Sequence, residues 1–266
     1  MPELPEVETI KRELEEKLVA KKITDVIVNN PKVIREPQNK DFVNQLKGVT
    51  IRHILRKAKL LILELSNGKA LTIHLKMTGQ LIYPGTGKKS RVSFLLSDGK
   101  LLDFNDQRLF GELRVVDDWH KLRFIQSLGP ELSTLSPKNF QKMLTGKNTR
   151  IKPLLMDQAF ISGIGNLYAA ESLFQARIRP DRAASNLSDK EKQALFFAIK
   201  RVLNEAIRCG GSSVDDYVRL SGKKGNYASK HKVYDRKGEP CLVCKTTIKR
   251  INLGGRGTYF CPKCQR

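Results

Sequence analysis

The stretch PELPEVETIKRELEEKL, Pro2–Leu18, sets the plan of the chain. Val7, Ile10, Leu14 and Leu18 recur at spacings of three and four, which predicts one apolar stripe on an amphipathic helix. Proline suits the first helical turn, where its missing N–H has no partner to lose. Glu3 and Glu6 suit the positive end of the helix dipole. All of this is ordinary capping chemistry. The same residues carry a second reading. Removal of Met1, which a small second residue such as proline permits, leaves a secondary amine beside Glu3. An α-amino group titrates near ~8, against ~10.4 for lysine. More of it is therefore neutral and nucleophilic at cellular pH.

The stripe needs a partner layer, and residues 23–116 supply one. Short apolar runs recur at Ile23–Val28, Val49–Leu55, Leu60–Leu65, Ala70–Leu75, Val92–Leu96, Leu101–Phe104 and Leu113–Val116. Asn67-Gly68, Pro84-Gly85 and Asp98-Gly99 punctuate them as turns. One helical piece, Lys40–Leu46, interrupts the set. Many short strands at regular spacing predict an antiparallel β-sandwich or barrel, with the N-terminal helix packed on it.

The pattern changes after Trp119. Leu122–Leu128 reads as helix, and Gly129-Pro130-Glu131 breaks it, so a linker is placed at 128–135 between a domain at 1–127 and a helical one at 136–235. Ser136-Pro137 caps a helix bearing Phe140, Met143 and Leu144. Lys152–Phe160 and Leu167–Ala176 follow, separated by the tight turn Gly163-Ile164-Gly165-Asn166. Ser188 with Glu191 forms a capping box for a long helix to Cys209, ended by Gly210-Gly211. Residues 212–240 are polar, basic and glycine-containing, and read as a mobile loop. The expected class is α+β with two domains.

Composition narrows the partner. The chain has 266 residues, 49 Lys+Arg against 27 Asp+Glu, and a net charge of +22. An excess of that size points to a polyanion. There is no run of about twenty apolar residues and no lipidation motif, so the membrane surface is disfavoured. The acidic opening helix is not a signal peptide. A cytoplasmic protein that binds nucleic acid is the expectation.

Four of the five cysteines form a module at 236–266. Cys241-x-x-Cys244 and Cys261-x-x-Cys264 are separated by 16 residues. Each C-x-x-C turn aims two thiolates at one ion, and two pairs complete a tetrahedral, closed site. One structural zinc is expected, with Cys209 free. Two disulfides are the less favoured reading in a chain with no secretory signal. Between the pairs, Lys249–Leu253, Gly254-Gly255-Arg256-Gly257 and Thr258–Phe260 predict a hairpin with Arg256 at its tip. Arg256 is there either a solvated turn residue or a supported phosphate contact. The Gly163–Asn166 turn offers backbone N–H groups and an amide to a phosphate, and Lys147, Arg150 and Lys152 lie just upstream. Met77 and Phe110, each near a strand end, read either as core or as exposed wedges for a base stack.

These pieces in this order resemble the bacterial formamidopyrimidine-DNA glycosylases of the Fpg/Nei superfamily, over nearly the whole chain. The anchors are Pro2–Glu8, Lys57-Ala58-Lys59, His74-Leu75-Lys76-Met77, Asp106–Gly111, Ile151-Lys152-Pro153, Gly163–Asn166, Val233-Tyr234, Gly238-x-Pro240-Cys241 and Gly255–Thr258. The resemblance implies a monomeric, nucleoid-associated repair enzyme that flips an oxidised purine, 8-oxoguanine or a formamidopyrimidine, out of damaged double-stranded DNA and excises it. It implies an N-terminal β-sandwich domain, a helix–two-turn–helix domain and a C-terminal zinc-finger hairpin, with the damaged strand between the domains. The implied roles are Pro2 as the amine nucleophile, Glu3 as the acid that protonates the opening sugar ring, and Glu6 as its support. Lys59 and Arg256 act near the eliminating phosphates. Met77, Arg108 and Phe110 fill the void left by the flipped base, and Lys147 and Asn166 contact phosphates. β,δ-Elimination follows base loss.

The chain departs from that pattern twice. Many members carry a histidine-rich stretch near 89–91, where this chain has Lys88-Lys89-Ser90-Arg91. Before Val233 it reads Tyr227–Lys232 where relatives have a Gln-Glu-Leu-Gln run in the loop that covers the extruded base. A pyrimidine-preferring, endonuclease VIII-like enzyme is the nearest alternative; Leu4 and the glycine-flanked Arg256 favour the purine branch. A non-catalytic zinc-finger DNA binder is the alternative from another class.

Overall fold

The computed structural model describes all of residues 1–266. They form two compact units, Met1–Gln126 with Ile207–Ala228, and Ser127–Ala206 with Ser229–Arg266.

The first unit opens with helix α1 (Leu4–Leu18) and continues through β1 (Ile23–Val28), β2 (Ile34–Glu36), α2 (Asn39–Leu46), β3 (Ile51–Lys57), β4 (Leu60–Leu65), β5 (Ala70–His74), β6 (Gly79–Gly85), β7 (Val92–Leu96), β8 (Leu101–Asp106), β9 (Glu112–Val116) and the short α3 (Arg123–Gln126). One sheet has the order β1-β7-β8-β6 and is antiparallel. The other has the order β2-β9-β5-β4-β3, antiparallel except for the β2–β9 pair. Inward residues of both sheets share one core with Val7, Ile10, Leu14 and Leu18 of α1, each at most 1% exposed. Burying an aliphatic side chain of this size stabilises by about 1.5–3 kcal/mol, so the stripe holds α1 to the sandwich.

Two strands escape the sequence pattern. β2 is only three residues long. β6 alternates buried Leu81 and Tyr83 with half-buried Gln80 and Ile82, and runs through the Pro84-Gly85 pair that reads as a turn. Its edge position leaves Pro84 no ladder bond to forfeit. Residues 207–228 also correct an expectation. Placed by sequence in the helical domain at 136–235, they pack instead with the first unit. Tyr217 and Leu220 enter the sandwich core, the Tyr83 amide donates to the Leu220 carbonyl at 2.8 Å, and Arg219 pairs with Glu13. Apolar anchors spaced three apart are too few to register as an element, yet they fix this stretch.

The second unit contains α4 (Pro137–Leu144), α5 (Ile151–Met156), α6 (Asn166–Gln175), most of α7 (Asp189–Arg208) and the hairpin β10 (Lys249–Leu253)–β11 (Arg256–Phe260). Helix α5 stops four residues earlier than the apolar run suggests. The Asp157 carboxylate accepts the Ala159 amide at 2.9 Å, a local side-chain turn that competes with helix. At the start of α7 the Ser188 hydroxyl accepts the Glu191 amide and the Glu191 carboxylate accepts the Ser188 amide. No helix is long and apolar enough to cross a membrane.

Candidate functional site

In the first unit, the N-terminus of α1 is built around two buried carboxylates. Met1 is 49% exposed, whereas Pro2 beneath it is buried, and Glu3 and Glu6 are 4% and 3% exposed. Glu3 is the N-cap. Its side chain accepts the Glu6 amide, and Glu6 Oε2 accepts the Glu3 amide at 2.8 Å, a reciprocal capping box made with two carboxylates. Glu6 Oε1 accepts the Ser212 amide at 2.8 Å. Glu6 therefore fixes the peptide that follows Pro2 and ties it to the 210–212 turn. That turn needs glycine: at Gly211, with φ +83°, a Cβ would lie 2.7 Å from Tyr217 and 3.0 Å from Glu6. The Tyr217 hydroxyl donates to the Gly210 carbonyl at 3.0 Å. Burial, then the charges of Glu6 and Glu13, push its ionisation well above the ordinary phenol range. Gly210-Gly211 is legible in sequence only as a helix stop; its second task, making room for Glu6, is not.

Lys59 lies at the β3–β4 turn and is 7% exposed. The turn is held by Arg56, which donates to the Ala58 carbonyl at 2.8 Å and to Glu8 of α1 at 2.8 Å. Ala58 adopts a left-handed φ of 51°. His74, at the end of β5, accepts the Lys76 amide through Nδ1 at 3.1 Å, which leaves the proton on Nε2. Desolvation, then the Lys76 charge, depress its pKa to about 3, so the ring is neutral.

Met77, Arg108 and Phe110 come together at the surface of the first unit. Met77 and Phe110 are 38% and 47% exposed, which resolves the choice between core and surface. The Arg108 guanidinium donates to Met77 Sδ at 3.3 Å and stacks 4.6 Å from the Phe110 ring centroid. Buried Asp106 supports them from below: it accepts from the Thr78 hydroxyl, from the Arg108 amide at 3.2 Å and from the Gly111 amide at 2.6 Å. Asp106 opens one of the stretches that carry the family resemblance, but its supporting role and that of Thr78 are not legible in the sequence.

In the second unit, Lys152 has a bridging role that the sequence does not show. It reads as one of a basic run, yet it is fully buried. Its ammonium donates to Asn166 Oδ1 at 2.5 Å, to Thr258 Oγ1 at 2.8 Å and to the Gly257 carbonyl at 3.4 Å. It thereby joins α5, the 163–166 turn and the β10–β11 hairpin. Gln158 braces the same turn, accepting the Gly163 amide at 3.0 Å and donating to the Ile164 carbonyl at 2.7 Å. Arg256 is exposed beside the two-residue turn Gly254-Gly255, whose φ values of +58° and +72° match a type I′ hairpin. Lys147 is exposed between α4 and α5.

A second buried carboxylate, Glu171 of α6, accepts the amides of Lys232, Val233 and Tyr234 at 2.9, 3.0 and 2.8 Å. Burial raises its pKa against the pull of those three donors. The stretch leading into the zinc module is thus pinned to α6.

The sulfur atoms of Cys241, Cys244, Cys261 and Cys264 all lie within 4.8 Å of one another. Two of the separations are 3.9 and 3.4 Å. A tetrahedral zinc with Zn–S bonds of about 2.3 Å requires sulfurs about 3.8 Å apart, so the set fits one zinc ion. Four thiolates leave no open coordination position, which makes the ion structural. Cys209 stands apart as a free thiol.

Three family models match the chain in order: the formamidopyrimidine-DNA glycosylase N-terminal domain over residues 1–113, the formamidopyrimidine-DNA glycosylase H2TH domain over 127–218, and a zinc finger found in FPG and IleRS over 238–266. The formamidopyrimidine-DNA glycosylase of Pelotomaculum thermopropionicum is 43% identical across 100% of this chain and 99% of its own. That of Listeria monocytogenes is 40% identical, with 100% of both chains covered. The crystal structure of the MutM (Fpg) protein of Thermus thermophilus superposes with a TM-score of 0.89 at 35% identity, covering 99% of this chain and 98% of that one. The Lactococcus lactis Fpg in complex with abasic-site DNA gives 0.90 at 32% identity, with 99% of both chains covered. With its sandwich, its helical unit and its four-cysteine hairpin all matched at full length, the chain belongs to the formamidopyrimidine-DNA glycosylase family.

Proposed function

We propose that this DNA glycosylase of base-excision repair removes oxidised purines, 8-oxoguanine and formamidopyrimidines, from damaged duplex DNA, and then cleaves the strand as an AP lyase. The observation that carries this reading is the N-terminus of α1, where Pro2, Glu3 and Glu6 are buried together and Glu6 fixes the backbone on both sides.

Once Met1 is removed, the Pro2 nitrogen attacks the sugar C1′. The N–C1′ bond forms as the bond from C1′ to the base breaks, and Glu3 delivers a proton to the opening ring oxygen. A secondary amine gives an iminium that is charged without further protonation. That electron sink acidifies the C2′ proton. Loss of that proton breaks the bond to the 3′ phosphate, and a second elimination releases the 5′ phosphate, leaving a one-nucleotide gap. Glu6 positions Glu3 and Pro2. Lys59 and Arg256 stabilise the departing phosphates, Arg256 as an electrostatic contact because a guanidinium holds its protons at neutral pH. Met77, Arg108 and Phe110 occupy the space of the extruded base, with Arg108 facing the orphaned partner. Lys147 and Asn166 contact backbone phosphates.

The test is product analysis on a duplex with a single 8-oxoguanine opposite cytosine, using protein whose intact mass shows Met1 removed. The expected products carry phosphate at both ends of a one-nucleotide gap. Activity confined to an oxidised-pyrimidine duplex would transfer the chain to the endonuclease VIII-like reading, and binding without cleavage of either would make it a non-catalytic binder. Light scattering of the free protein is expected to give the monomer mass.

A further inference from the structure

Residues 210–220 lie along helix α1 as a strap. Glu6, Thr9 and Glu13 recur at spacings of three and four, which makes a polar stripe beside the apolar one. The strap bonds to that stripe at both ends. The Ser212 amide donates to Glu6 Oε1 at 2.8 Å. Two helical turns on, Glu13 accepts the Arg219 guanidinium and the Leu220 amide at 2.6 and 2.8 Å. Leu220 is fixed from its other side as well, its carbonyl accepting the Tyr83 amide of β6 at 2.8 Å.

Between those ends stands Tyr217, 5% exposed. Its ring packs where Gly211 has no Cβ, and its hydroxyl donates to the Gly210 carbonyl at 3.0 Å. The Thr9 hydroxyl, which donates to the Pro5 carbonyl at 2.8 Å, adjoins it. Three consecutive carbonyls ahead of Ser212 therefore have donors. Those of Cys209 and Gly211 accept the Asn226 and Tyr227 amides at 2.8 and 3.0 Å. Only the Gly210 carbonyl is held by a side chain, so only that bond depends on residue identity. Gly210 and Gly211 have φ values of +73° and +83°. Glycine gives this turn its shape but also the freedom to leave it, and the hydroxyl opposes that freedom. A displaced turn would carry away the Ser212 amide, and with it the carboxylate that accepts the Glu3 amide.

We infer that Tyr217 is a positioning residue for the catalytic N-terminus: its hydroxyl holds the Gly210–Ser212 turn in the conformation that keeps Glu6 on the Glu3 amide, and so keeps Glu3 and the Pro2 nitrogen aligned on C1′. This deepens the DNA-glycosylase reading and rests on it. Tyr217 acts through Ser212 and Glu6, without touching the reacting atoms. A nucleophile that is held less well reacts more slowly, although the substrate binds as tightly.

The experiment is single-turnover cleavage by full-length Tyr217→Phe, with Met1 removal verified by intact mass. Two duplexes are used, one with 8-oxoguanine opposite cytosine and one with a natural abasic site. The change keeps the ring against Gly211 and deletes one hydroxyl. At saturating protein the rate constant is expected to fall about tenfold on both duplexes, the loss of one buried hydrogen bond expressed in the transition state. Affinity for a duplex bearing a tetrahydrofuran abasic analogue should stay within about twofold of wild type, because alignment and not binding is lost. A purely structural role has a different signature: fewer active molecules, and so a lower borohydride-trapping amplitude, at the wild-type rate constant. That result, or wild-type behaviour throughout, overturns the inference. So does a fall confined to the 8-oxoguanine duplex, which would place Tyr217 in base recognition. Wild-type protein that cleaves neither duplex would instead refute the glycosylase reading, and the inference with it.

Discussion

Replacing Lys152 by methionine should loosen the β10–β11 hairpin while leaving the β-sandwich untouched. Methionine keeps most of the apolar length and removes the ammonium. Three acceptors then lose their donor: Asn166 Oδ1, Thr258 Oγ1 and the Gly257 carbonyl. Asn166 is half-buried and can turn to water, and the Gly257 contact at 3.4 Å is weak. Thr258 is fully buried; its hydroxyl keeps its donation to the Arg256 carbonyl at 3.2 Å but loses a bond from a charged donor, which is worth about 1.5–3 kcal/mol. Relief from burying a charge offsets part of the loss. The net is about 1–2 kcal/mol, placed on the segments that Lys152 joins. Hydrogen exchange read by mass spectrometry resolves that location. At 1.4 kcal/mol per factor of ten, peptides spanning Lys249–Phe260 should lose about 5- to 30-fold in protection. The fluorescence of Trp119, the single tryptophan and a residue of the first unit, should follow the wild-type urea curve. Protection of the hairpin within threefold of wild type would refute the idea that Lys152 holds it.

Other expectations are independent of this one. Metal analysis of freshly purified protein should find one zinc per chain, and chelation should unfold the 238–266 segment; no bound zinc would contradict the four-thiolate site. Asp106→Asn should free the Arg108 segment and raise the exchange rate of the Arg108 and Gly111 amides tenfold or more, and unchanged rates would remove Asp106 as its support. Glu191 is held down to about 2 by its ion pair with Arg182. A depressed carboxylate contributes stability above its unfolded value of about 4.5 and loses it as pH falls toward 2. Acid unfolding of the second unit should therefore be shallower between pH 4.5 and 2 in Glu191→Gln, and an identical acid limb would argue against that linkage.

Much of this architecture is written in local pattern. The α1 stripe, the hairpin signals Asn67-Gly68 and Asp98-Gly99, the Ser188–Glu191 box and the paired C-x-x-C turns each satisfy a rule that acts over a few residues, and each appears where its rule places it. The features that escape the pattern depend on partners far along the chain. Residues 207–228 look like an uncommitted loop until Tyr217 and Leu220 are seen in the sandwich core and Glu6 is seen accepting the Ser212 amide, 206 positions away. Lys152 looks solvated because a lysine in a basic run usually is; its acceptors lie 14 and 106 positions on. Asp106 and Glu171 share this character. A lone carboxylate in a strand or helix carries no mark of burial, and only the fold brings backbone amides to surround it.

The central claim is that the N-terminal proline amine attacks an oxidised-purine nucleotide. Borohydride trapping tests it most directly, on duplex DNA with one 8-oxoguanine opposite cytosine, beside an undamaged duplex and a Pro2→Gly protein. The account predicts a covalent adduct with the damaged duplex alone, strongly reduced in Pro2→Gly. No adduct from protein whose intact mass shows Met1 removed would contradict it.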